Sequence, residues 1–436
     1  MNSTAAPVCI LGMGFVGLTL AAKLSQYRQV IGLEVNPAVR KVINEGRAHF
    51  FEPGLDDVIS KSIESGMLVI TGSSKSIPST VKDIVITVGT PLKEGEIDLS
   101  FIDSAVEEVS QLVSDDSCVI LRSTVALGVT RSRVLEVFEA KGKFPKVAMC
   151  PERTVEGKAL VELGALPQVI GASSQDALER ASGFFSILGC PIQLVSSLEA
   201  AESVKLITNT FRDLTFAFAN EVALFSQESN LDARELIAAS NEGYPRSTIP
   251  KPGLTGGPCL EKDPWIFASS GEMHGVDLAI TKAARRTHES VIPRTLRKLV
   301  DLYHSLPDGP NGVLVAGLAF KGRPATNDVR GSLAKHLAEE LAMAVPEANL
   351  FWFDPLVYES DAINMGFVGD GDLDEHMAKS KLLVIQHNSE ELLKSLQTFF
   401  QENKDWPGHI FDYTGELELE PSDTHSIYRL GMGLVT

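Results

Sequence analysis

A thiol and a carboxylate stand four residues apart in the segment Gly256–Asp263, which reads Gly-Gly-Pro-Cys-Leu-Glu-Lys-Asp. The thiol is Cys259. Glycines free the backbone ahead of it, and Pro264 suits the first turn of a helix. If the thiol lies near a helix N-terminus with Lys262 close by, its pKa falls and the nucleophilic thiolate becomes available. The segment therefore predicts covalent attack on a carbonyl carbon, although glycine and proline also suit an ordinary surface loop.

A second reactive pair, Lys205 and Asn209, is four residues apart and so on one face of a predicted helix. A lysine beside an amide can stabilise an oxyanion. The alternative is a solvated helix face, since lysine and asparagine are usually exposed. The neighbouring apolar residues predict instead that this helix is largely buried: Leu206, Ile207, Phe211 and Leu214.

A third candidate, Glu152, follows a predicted strand in Cys150-Pro151-Glu152-Arg153. A carboxylate at the carboxyl edge of a sheet can handle a proton or a hydrolytic water. The alternatives are an ion pair with Arg153 or a charge at a helix N-terminus.

The N-terminus carries a dinucleotide-binding pattern, in which strand Val8–Leu11 runs into Gly12-Met13-Gly14-Phe15-Val16-Gly17 and then a helix. The three glycines allow a tight turn, backbone approach to a pyrophosphate and close packing of helix on strand. Glu34 lies 22 residues after Gly12, where a carboxylate binds ribose hydroxyls and repels a 2′-phosphate. The pattern predicts NAD rather than NADP, with Arg40 as a contrary sign; a strand-to-helix turn without cofactor is the alternative.

Two further strand ends carry small polar residues, Thr90 in Val88-Gly89-Thr90-Pro91 and Thr124 in Ser123-Thr124-Val125. Ligands of open α/β sheets bind beyond the carboxyl ends of strands, so both turns are predicted to line the nicotinamide side. Either could also be an ordinary turn.

The elements that must position these residues alternate up to about residue 195, which predicts a parallel sheet with crossover helices. The predicted strands are Val8–Leu11, Val30–Glu34, Leu68–Thr71, Ile84–Val88, Cys118–Arg122, Lys146–Cys150, Gln168–Gly171 and Gln193–Val195.

A long helix is predicted over Leu198–Glu228, with Ser197 before it, and further helices continue to about Leu306. The turn-rich string Pro307–Gly312 then marks a boundary, after which α/β alternation resumes. We therefore predict an N-terminal Rossmann domain (1–196), a central helical domain (197–306) and a C-terminal Rossmann-like domain (307–436). The last is predicted to contain a helix near Ser332–Met343 and the strands Val313–Ala316, Leu350–Phe353, Leu382–Ile385 and His409–Asp412.

Whole-chain properties exclude several classes. The 436 residues suffice for roughly three domains, and the net charge of −18 argues against a nucleic-acid surface. The five cysteines are scattered without paired spacing, so neither a disulfide framework nor a metal site is expected. A signal peptide and a membrane span are not predicted, which indicates a cytoplasmic protein.

Together these motifs resemble the UDP-glucose/GDP-mannose dehydrogenase family over essentially the whole chain. The residues that carry the resemblance are Gly12–Leu18, Phe51-Glu52-Pro53-Gly54-Leu55, Val88–Pro91, Ser123–Val125, Pro151-Glu152, Lys205 with Asn209, Gly256–Cys259, Lys262-Asp263, Phe320-Lys321 and Asp328-Val329-Arg330.

The resemblance implies that two NAD molecules are consumed as the C6 alcohol of a nucleotide sugar becomes a carboxylate, supplying surface polysaccharide precursors. Cys259 would form a thiohemiacetal and then a thioester, Lys205 and Asn209 would stabilise the oxyanion, and Asp263 would handle water. Glu152 would assist thioester hydrolysis, and Thr124 would lie by the nicotinamide and the catalytic water. NAD would contact Gly12, Gly14, Phe15, Val16, Gly17, Glu34, Thr90, Thr124 and Lys262.

For the sugar nucleotide, the resemblance implies the C-terminal domain, with Lys321 and Arg330 at the diphosphate and Arg246 reaching a neighbouring subunit's sugar. The central helix would form a homodimer interface. The other implied substrate contacts are Glu152, Arg153, Lys205, Asn209, Gly256, Gly257 and Phe320.

Arg153 stands where the UDP-glucose enzymes typically have phenylalanine. Together with Asn209-Thr210-Phe211-Arg212-Asp213 and Ala219-Asn220-Glu221, it makes the chain resemble more nearly the branch acting on UDP-N-acetylglucosamine or UDP-N-acetylmannosamine. Lys262, which the UDP-glucose branch shares, keeps UDP-glucose open as an alternative. More distant alternatives are a two-electron β-hydroxyacid dehydrogenase, which needs neither Cys259 nor a third domain, and a non-enzymatic NAD or nucleotide-sugar sensor.

Overall fold

The computed structural model describes residues 6–93, 96–306, 309–419 and 424–432. The chain forms two compact units, Met1–Thr208 with Trp265–Asp277, and Asn209–Pro264 with Leu278–Thr436. The three-domain division stays a prediction, and of its boundary string Pro307 and Asp308 lie outside the described residues. Within the described residues, no helix is long and apolar enough to span a membrane.

The first unit is built on an eight-stranded sheet, with a small antiparallel hairpin of β5 and β6 beside it. The β-branched and aliphatic residues predicted as strands form strands, shifted by a residue or two at some ends. The strands are β1 (Val8–Leu11), β2 (Val30–Leu33), β3 (Leu68–Thr71), β4 (Asp83–Ile86), β5 (Leu92–Lys93), β6 (Glu96–Ile97), β7 (Cys118–Leu121), β8 (Lys146–Met149), β9 (Gln168–Ala172) and β10 (Ile192–Leu194).

The strand order is β10-β9-β8-β7-β4-β1-β2-β3, so the order reverses between β1 and β4. Ligands of such sheets bind at this switch point, beyond the carboxyl ends of the strands. The expectation of a wholly parallel sheet is wrong at one place, because β9 pairs with β8 antiparallel through Ala148 and Ala172. After β8 the chain stays at the carboxyl edge and re-enters from there, which an antiparallel pair permits without a crossover.

Helices cover both faces of this sheet. Polar caps start several of them; for example, Asn36 accepts a hydrogen bond from Ala38 and Ser174 accepts one from Ala177. The helices are α1 (Phe15–Leu24), α2 (Pro37–Asn44), α3 (Leu55–Glu64), α4 (Ser100–Val109), α5 (Glu136–Ala140), α6 (Ala159–Ala165) and α7 (Gln175–Ser186), with a 3-10 turn (Ser74–Ser76) and a π-helical turn (Thr130–Leu135).

The long helix is α8 (Leu198–Glu228), with the predicted bounds. Ser197 caps its start by accepting a hydrogen bond from Ala200. The prediction that its apolar residues are largely buried is partly wrong: Leu206 is buried, but Ile207 and Phe211 are 51% and 63% exposed. They lie on an outward side of the helix, on which Phe218 and Phe225 are also exposed.

The second unit joins most of the central helices to a second sheet. The helices are α9 (Ala233–Asn241), α10 (Asp263–Met273, most of which belongs to the first unit), α11 (Ala279–Ser305), α12 (Leu333–Ala344), α13 (Glu359–Asn364), α14 (Leu373–Lys379) and α15 (Glu390–Glu402).

The second sheet has five parallel strands in the order β12-β11-β13-β14-β15. Its switch point lies between β11 and β13, so the loop after β11, which holds Phe320 and Lys321, occupies the ligand-binding edge. The last strand is absent from the sequence prediction. The strands are β11 (Gly312–Ala316), β12 (Asn349–Phe353), β13 (Ser380–Ile385), β14 (His409–Asp412) and β15 (Ser426–Arg429).

Candidate active site

The loop after β1 has the shape that a dinucleotide requires. Gly12 has a φ of +86°, and a Cβ at Gly17 would lie 1.8 Å from the Gly12 carbonyl oxygen, so only glycine fits at Gly17. A Cβ at Gly14 would meet no heavy atom of the described residues within 4 Å, which leaves open space beside the start of α1. Within the described chain no side chain caps that helix. An anionic pyrophosphate fits this position.

Glu34 directs its carboxylate at the same loop. Its Oε2 accepts a hydrogen bond from the Met13 amide and its Oε1 one from the Asn36 amide, each over 2.8 Å. Arg40 donates to the Glu34 and Val35 carbonyl oxygens, so its guanidinium is tied to the backbone. The carboxylate therefore lies beside the glycine loop, and its role in binding ribose stays a prediction.

The polar turns at the other two strand ends contact each other. Thr90 donates from Oγ1 to the Thr124 carbonyl oxygen over 2.6 Å, and Ser123 donates to the Val88 carbonyl oxygen over 2.7 Å. These bonds join the loops after β4 and β7 beside the switch point. Thr90 and Thr124 are therefore brought together, and their place on the nicotinamide side stays a prediction.

Glu152 is buried in an ion pair that the sequence did not indicate. Its Oε2 lies 2.6 Å from the Arg122 guanidinium, and both side chains are almost fully enclosed. Arg122, and not Arg153, is the partner; Arg153 is half-buried. Burial alone would raise the pKa of Glu152, but Arg122, then the Lys205 ammonium, and a hydrogen bond from the Thr154 amide lower this pKa to about 2.

Lys205 is buried on α8 with its charge close enough to Glu152 to stabilise the carboxylate. One turn earlier on α8, Glu202 accepts hydrogen bonds from the Gly128 and Thr130 amides, each over 2.6 Å. Burial raises the pKa of Glu202. Glu202 thus ties α8 to the segment that follows Thr124, a role that sequence reasoning missed.

Cys259 lies in a turn of the second unit, four residues before Asp263, the first residue of α10. Its carbonyl oxygen accepts a hydrogen bond from the Asp263 amide over 2.9 Å, and Pro264 occupies the first turn as predicted. All five cysteines are described; Cys259 is exposed and the other four are buried. Burial raises the pKa of the Cys9 and Cys118 thiols to about 12.

Asp263 is fully buried and held by two predicted site residues. Its Oδ2 accepts a hydrogen bond from Asn209 Nδ2 over 2.6 Å. The Lys262 ammonium lies 3.3 Å from its Oδ1. The structure therefore brings together Asn209, Lys262 and Asp263, which the sequence had assigned to three different tasks.

The glycines before Cys259 pack against the loops after β11. A Cβ at Gly257, whose φ is +96°, would lie 2.3 Å from the Phe320 ring, and the Gly257 amide donates to the Gly331 carbonyl oxygen over 2.7 Å. A Cβ at Gly256 would lie 2.3 Å from the same oxygen. Lys321 extends over the Phe320 ring, 5.4 Å from its centroid. Gly256, Gly257, Phe320 and Lys321 are therefore neighbours.

Two of the arginines predicted to bind substrate contact residues that are close to them in the chain. Arg330 forms an ion pair with Asp328, with 2.5 Å between Nη2 and Oδ2. Arg246 is exposed, and its guanidinium lies over the Tyr244 ring, 4.5 Å from the centroid. The roles of Arg330 in binding a diphosphate and of Arg246 in binding a neighbouring subunit's sugar stay predictions.

Two parts of the chain match domains of the UDP-glucose/GDP-mannose dehydrogenase family: its NAD binding domain over residues 6–188 and its central domain over residues 199–290. The chain is 31% identical to the UDP-N-acetyl-D-mannosamine dehydrogenase of Campylobacter jejuni, over 77% of this chain and 83% of that one. It is 30% identical to the enzyme of that name from Escherichia coli K12, over 87% and 93%.

Solved structures show the same likeness. The UDP-D-ManNAc dehydrogenase of Pyrococcus horikoshii superposes with a TM-score of 0.86 at 28% identity, covering 98% of this chain and 99% of that one. A UDP-glucose dehydrogenase of Pyrobaculum islandicum gives a TM-score of 0.84 at 27% identity, covering 99% of each. The likeness extends over nearly the whole chain.

Proposed function

Because the chain belongs to the UDP-glucose/GDP-mannose dehydrogenase family and is an NAD-dependent oxidoreductase, we propose that it oxidises the C6 alcohol of a UDP-N-acetylhexosamine to a carboxylate. UDP-N-acetylmannosamine is the first candidate, since several relatives at about 30% identity carry that activity in their names. UDP-N-acetylglucosamine is the second.

The observation that carries this proposal is the arrangement around the start of α10. Cys259 is exposed, whereas Asp263, four residues later in the chain, is buried and oriented by Asn209. An exposed thiol next to a positioned carboxylate suits a nucleophile with an acid that handles water. Two-electron alcohol oxidation needs neither group, whereas a four-electron oxidation through a thioester needs both.

The chemistry of the cysteine balances in three steps. The Cys259 thiolate adds to the C6 aldehyde carbon, and the carbonyl electron pair moves to oxygen, which takes a proton to give a thiohemiacetal. Two NAD molecules, bound in turn, would each accept one hydride from C6, the first in the alcohol oxidation and the second in the oxidation of this adduct, while the oxygen at C6 releases its proton each time. Water then attacks the resulting thioester carbon, giving the carboxylate and releasing the Cys259 thiol.

Lys205 and Asn209 serve the oxygen atom at C6 in this proposal. Asn209 uses one of its two Nδ2 hydrogens on Asp263, and the other is suited to an oxyanion. Glu152 is a poor general base because its pKa is lowered to about 2, far from the pH at which proton transfer is efficient. It orients water or substrate hydroxyls as an acceptor and holds Lys205 in place.

For the cofactor, we assign the pyrophosphate to Gly12, Gly14, Phe15, Val16 and Gly17, and the ribose to Glu34. Thr90 and Thr124 are assigned to the nicotinamide side. Lys262, whose ammonium lies 3.3 Å from Asp263 Oδ1, is assigned to the cofactor as a positive charge. The open space at Gly14 and the uncapped start of α1 support the first assignment.

For the nucleotide end of the substrate, we assign the diphosphate to Lys321 and Arg330. Arg153 is assigned as a further substrate contact, and Arg246 to a neighbouring subunit's sugar. Gly256, Gly257 and Phe320 form one contiguous surface in the second unit, and Lys321 adjoins it. Lys321 follows β11 at the switch point of the second sheet, where ligands bind in such folds.

A homodimer through α8 is part of the proposal. Phe211, Phe218 and Phe225 recur every seven residues on that helix and are 63%, 52% and 61% exposed. A seven-residue repeat of exposed aromatic side chains is typical of a helix that packs against a second helix.

The test is to count NADH formed per sugar consumed with UDP-N-acetylmannosamine, UDP-N-acetylglucosamine, UDP-glucose and GDP-mannose. We expect about two NADH per UDP-N-acetylhexosamine, as a covalent four-electron route requires. A preference for UDP-glucose would support the alternative that the Pyrobaculum structure represents. One NADH per sugar would indicate a simple alcohol dehydrogenase, and none with any nucleotide sugar would favour a sensor.

A further inference from the structure

One end of the loop that carries Cys259 is held by Asn220 of α8. Asn220 donates from Nδ2 to the Gly253 carbonyl oxygen over 3.0 Å and accepts from the Gly253 amide at Oδ1 over 2.9 Å. Its side chain is 1% exposed. A carboxamide that pairs with both backbone groups of one residue reproduces the bonding of a β-ladder, so Gly253 has little freedom to rotate.

The other end is held by Arg285 of α11. Its Nη1 donates to the Leu260 carbonyl oxygen over 3.1 Å and to Asp213 Oδ1 over 2.7 Å. Leu260 directly follows Cys259 in the chain. Asp213 is fully buried and Arg285 is 5% exposed. The buried carboxylate keeps the guanidinium in place, because an unpaired charge there would be costly.

His288 joins these two contacts. Its Nε2 lies 3.0 Å from the Asp213 carbonyl oxygen and its Nδ1 lies 3.3 Å from Asn220 Nδ2. Both contacts form when Nε2 donates to the Asp213 carbonyl oxygen and Nδ1 accepts from Asn220 Nδ2, and Nε2 also lies 3.3 Å from Asp213 Oδ1. Asp213 and Asn220 on α8 are therefore linked to Arg285 and His288 on α11 in one buried polar cluster.

The middle of the loop is held by close packing. The Gly257 amide donates to the Gly331 carbonyl oxygen, and a Cβ at either Gly256 or Gly257 would collide with Gly331 or Phe320. Between these contacts, Cys259 is the exposed residue.

We propose that Asn220 and Arg285, supported by Asp213 and His288, are positioning residues that hold the segment Gly253–Leu260 by its two ends and so set the place of the Cys259 sulfur. This inference rests on the proposed function of Cys259 as the nucleophile. Attack on an aldehyde needs near-contact geometry, and a displacement of about 1 Å can cost roughly 100-fold in rate. The first oxidation does not use the thiol.

The test is single-turnover NADH formation by the full-length protein with Asn220→Ala. We expect the first NADH to form at the wild-type rate and the second to form roughly 10- to 100-fold more slowly. Ser226→Ala is the matched control, because Ser226 is also buried on α8 and its hydroxyl, among the described residues, bonds only to the Val222 carbonyl oxygen of its own helix. It should leave both rates unchanged.

Loss of both phases together in a folded Asn220→Ala protein, or an unchanged second phase, would overturn the proposal. If Asn220→Ala does not fold, Arg285→Lys is the second test of the proposal. Its lysine keeps the positive charge beside Asp213, but the shorter side chain no longer donates to the Leu260 carbonyl oxygen. A slower second phase with a wild-type first phase supports positioning, and equal slowing contradicts it.

Hydrogen exchange of the backbone amides in 253–260 separates this inference from the proposed function. These amides should exchange faster in Asn220→Ala than in wild type, and not in Ser226→Ala, whatever the enzyme oxidises. Unchanged amide exchange in Asn220→Ala would refute the proposal that Asn220 holds the segment Gly253–Leu260. One NADH per sugar from the wild-type protein, by contrast, would refute the catalytic proposal itself.

Discussion

Asn209 donates a hydrogen bond to Asp263 over 2.6 Å and so orients a carboxylate that is fully buried. The bond uses Oδ2; Oδ1 accepts no hydrogen bond from the described residues, and the Lys262 ammonium lies 3.3 Å away from it as a counter-charge. An acceptor oxygen that is buried but not saturated is suited to a water molecule. In the proposed function, Oδ1 of Asp263 is the oxygen that accepts a hydrogen bond from the hydrolytic water.

Replacing Asp263 by asparagine should lower kcat by about 100- to 10,000-fold, the usual contribution of a general acid or base. The amide keeps the volume but cannot accept a proton from water. Steady-state rates with the best UDP-sugar measure this effect. Asp301→Asn, an exposed acid on α11, is the control; a full rate in Asp263→Asn would remove Asp263 from the chemistry.

Replacing Cys259 by serine should end the reaction after the first oxidation, because a hydroxyl is a far weaker nucleophile than a thiolate. The measurement is NADH per sugar, which we expect to fall from about two to about one. Iodoacetamide should label wild type at Cys259 and leave this variant unlabelled, since the other four cysteines are buried. Cys190→Ser should retain the full yield; two NADH from Cys259→Ser would contradict the covalent route.

Replacing Glu152 by glutamine should lower the free energy of unfolding at pH 7 by about 3–5 kcal/mol, because Arg122 is left buried without its counter-charge. Urea unfolding followed by circular dichroism measures this difference. Glu156→Gln, a half-buried acid in the same loop, is the control. A difference near zero would mean that the ion pair does not stabilise the fold.

The same difference should depend on pH in one direction. The pKa of Glu152 is lowered from 4.5 to about 2, so the unfolded chain takes up the proton first as the pH falls. The stabilisation is therefore complete above about pH 4.5 and is lost as the pH falls towards 2. Wild type and Glu152→Gln should converge in that window and not between pH 5 and 8.

Replacing Glu34 by glutamine should weaken NAD binding and admit NADP. A hydrogen bond to a charged group contributes about 1.5–3 kcal/mol, so the KM for NAD should rise roughly 10- to 100-fold. The repulsion of a 2′-phosphate is lost at the same time, with Arg40 close by. Initial rates with NAD and with NADP measure the ratio of the two activities. Glu45→Gln on the surface is the control. An unchanged ratio in Glu34→Gln would show that Glu34 does not bind the ribose.

Replacing Phe218 by glutamate should convert a dimer into a monomer, because two charges would meet in an apolar interface. Light scattering after size-exclusion chromatography measures the mass over a range of concentrations. Phe144→Glu is the matched control, since Phe144 is 61% exposed but lies outside α8. A Phe218→Glu protein of unchanged mass would place the interface elsewhere.

Features that depend on neighbouring residues were predicted well from the sequence. The bounds of α8 coincide with the predicted ones, and Gly12 and Gly17 have the shapes that the glycine pattern required. The strands β1 and β3 also have the predicted bounds. Helix period, capping and glycine geometry act over a few residues, so they can be read directly from the chain.

Features that join distant residues were not predicted. The partner of Glu152 is Arg122, 30 residues away, rather than the adjacent Arg153. Asn209 binds Asp263 at a separation of 54 residues, although the sequence assigned it only to an oxyanion. The antiparallel β9 and the exposed aromatic side of α8 also escaped prediction. An arginine at the end of the buried strand at Cys118–Leu121 was the one available signal for the ion pair.

The sequence by itself determined which groups this protein can use: a thiol at Cys259, carboxylates at Asp263, Glu152 and Glu34, and a glycine loop for a dinucleotide. Only the tertiary structure decided how those groups are held and charged. Burial and the partners that packing brings close set the pKa of Glu152, the orientation of Asp263 and the support of the Cys259 loop. Electrostatic and hydrogen-bond energies depend on distances in space, and those distances follow from the fold rather than from separation along the chain.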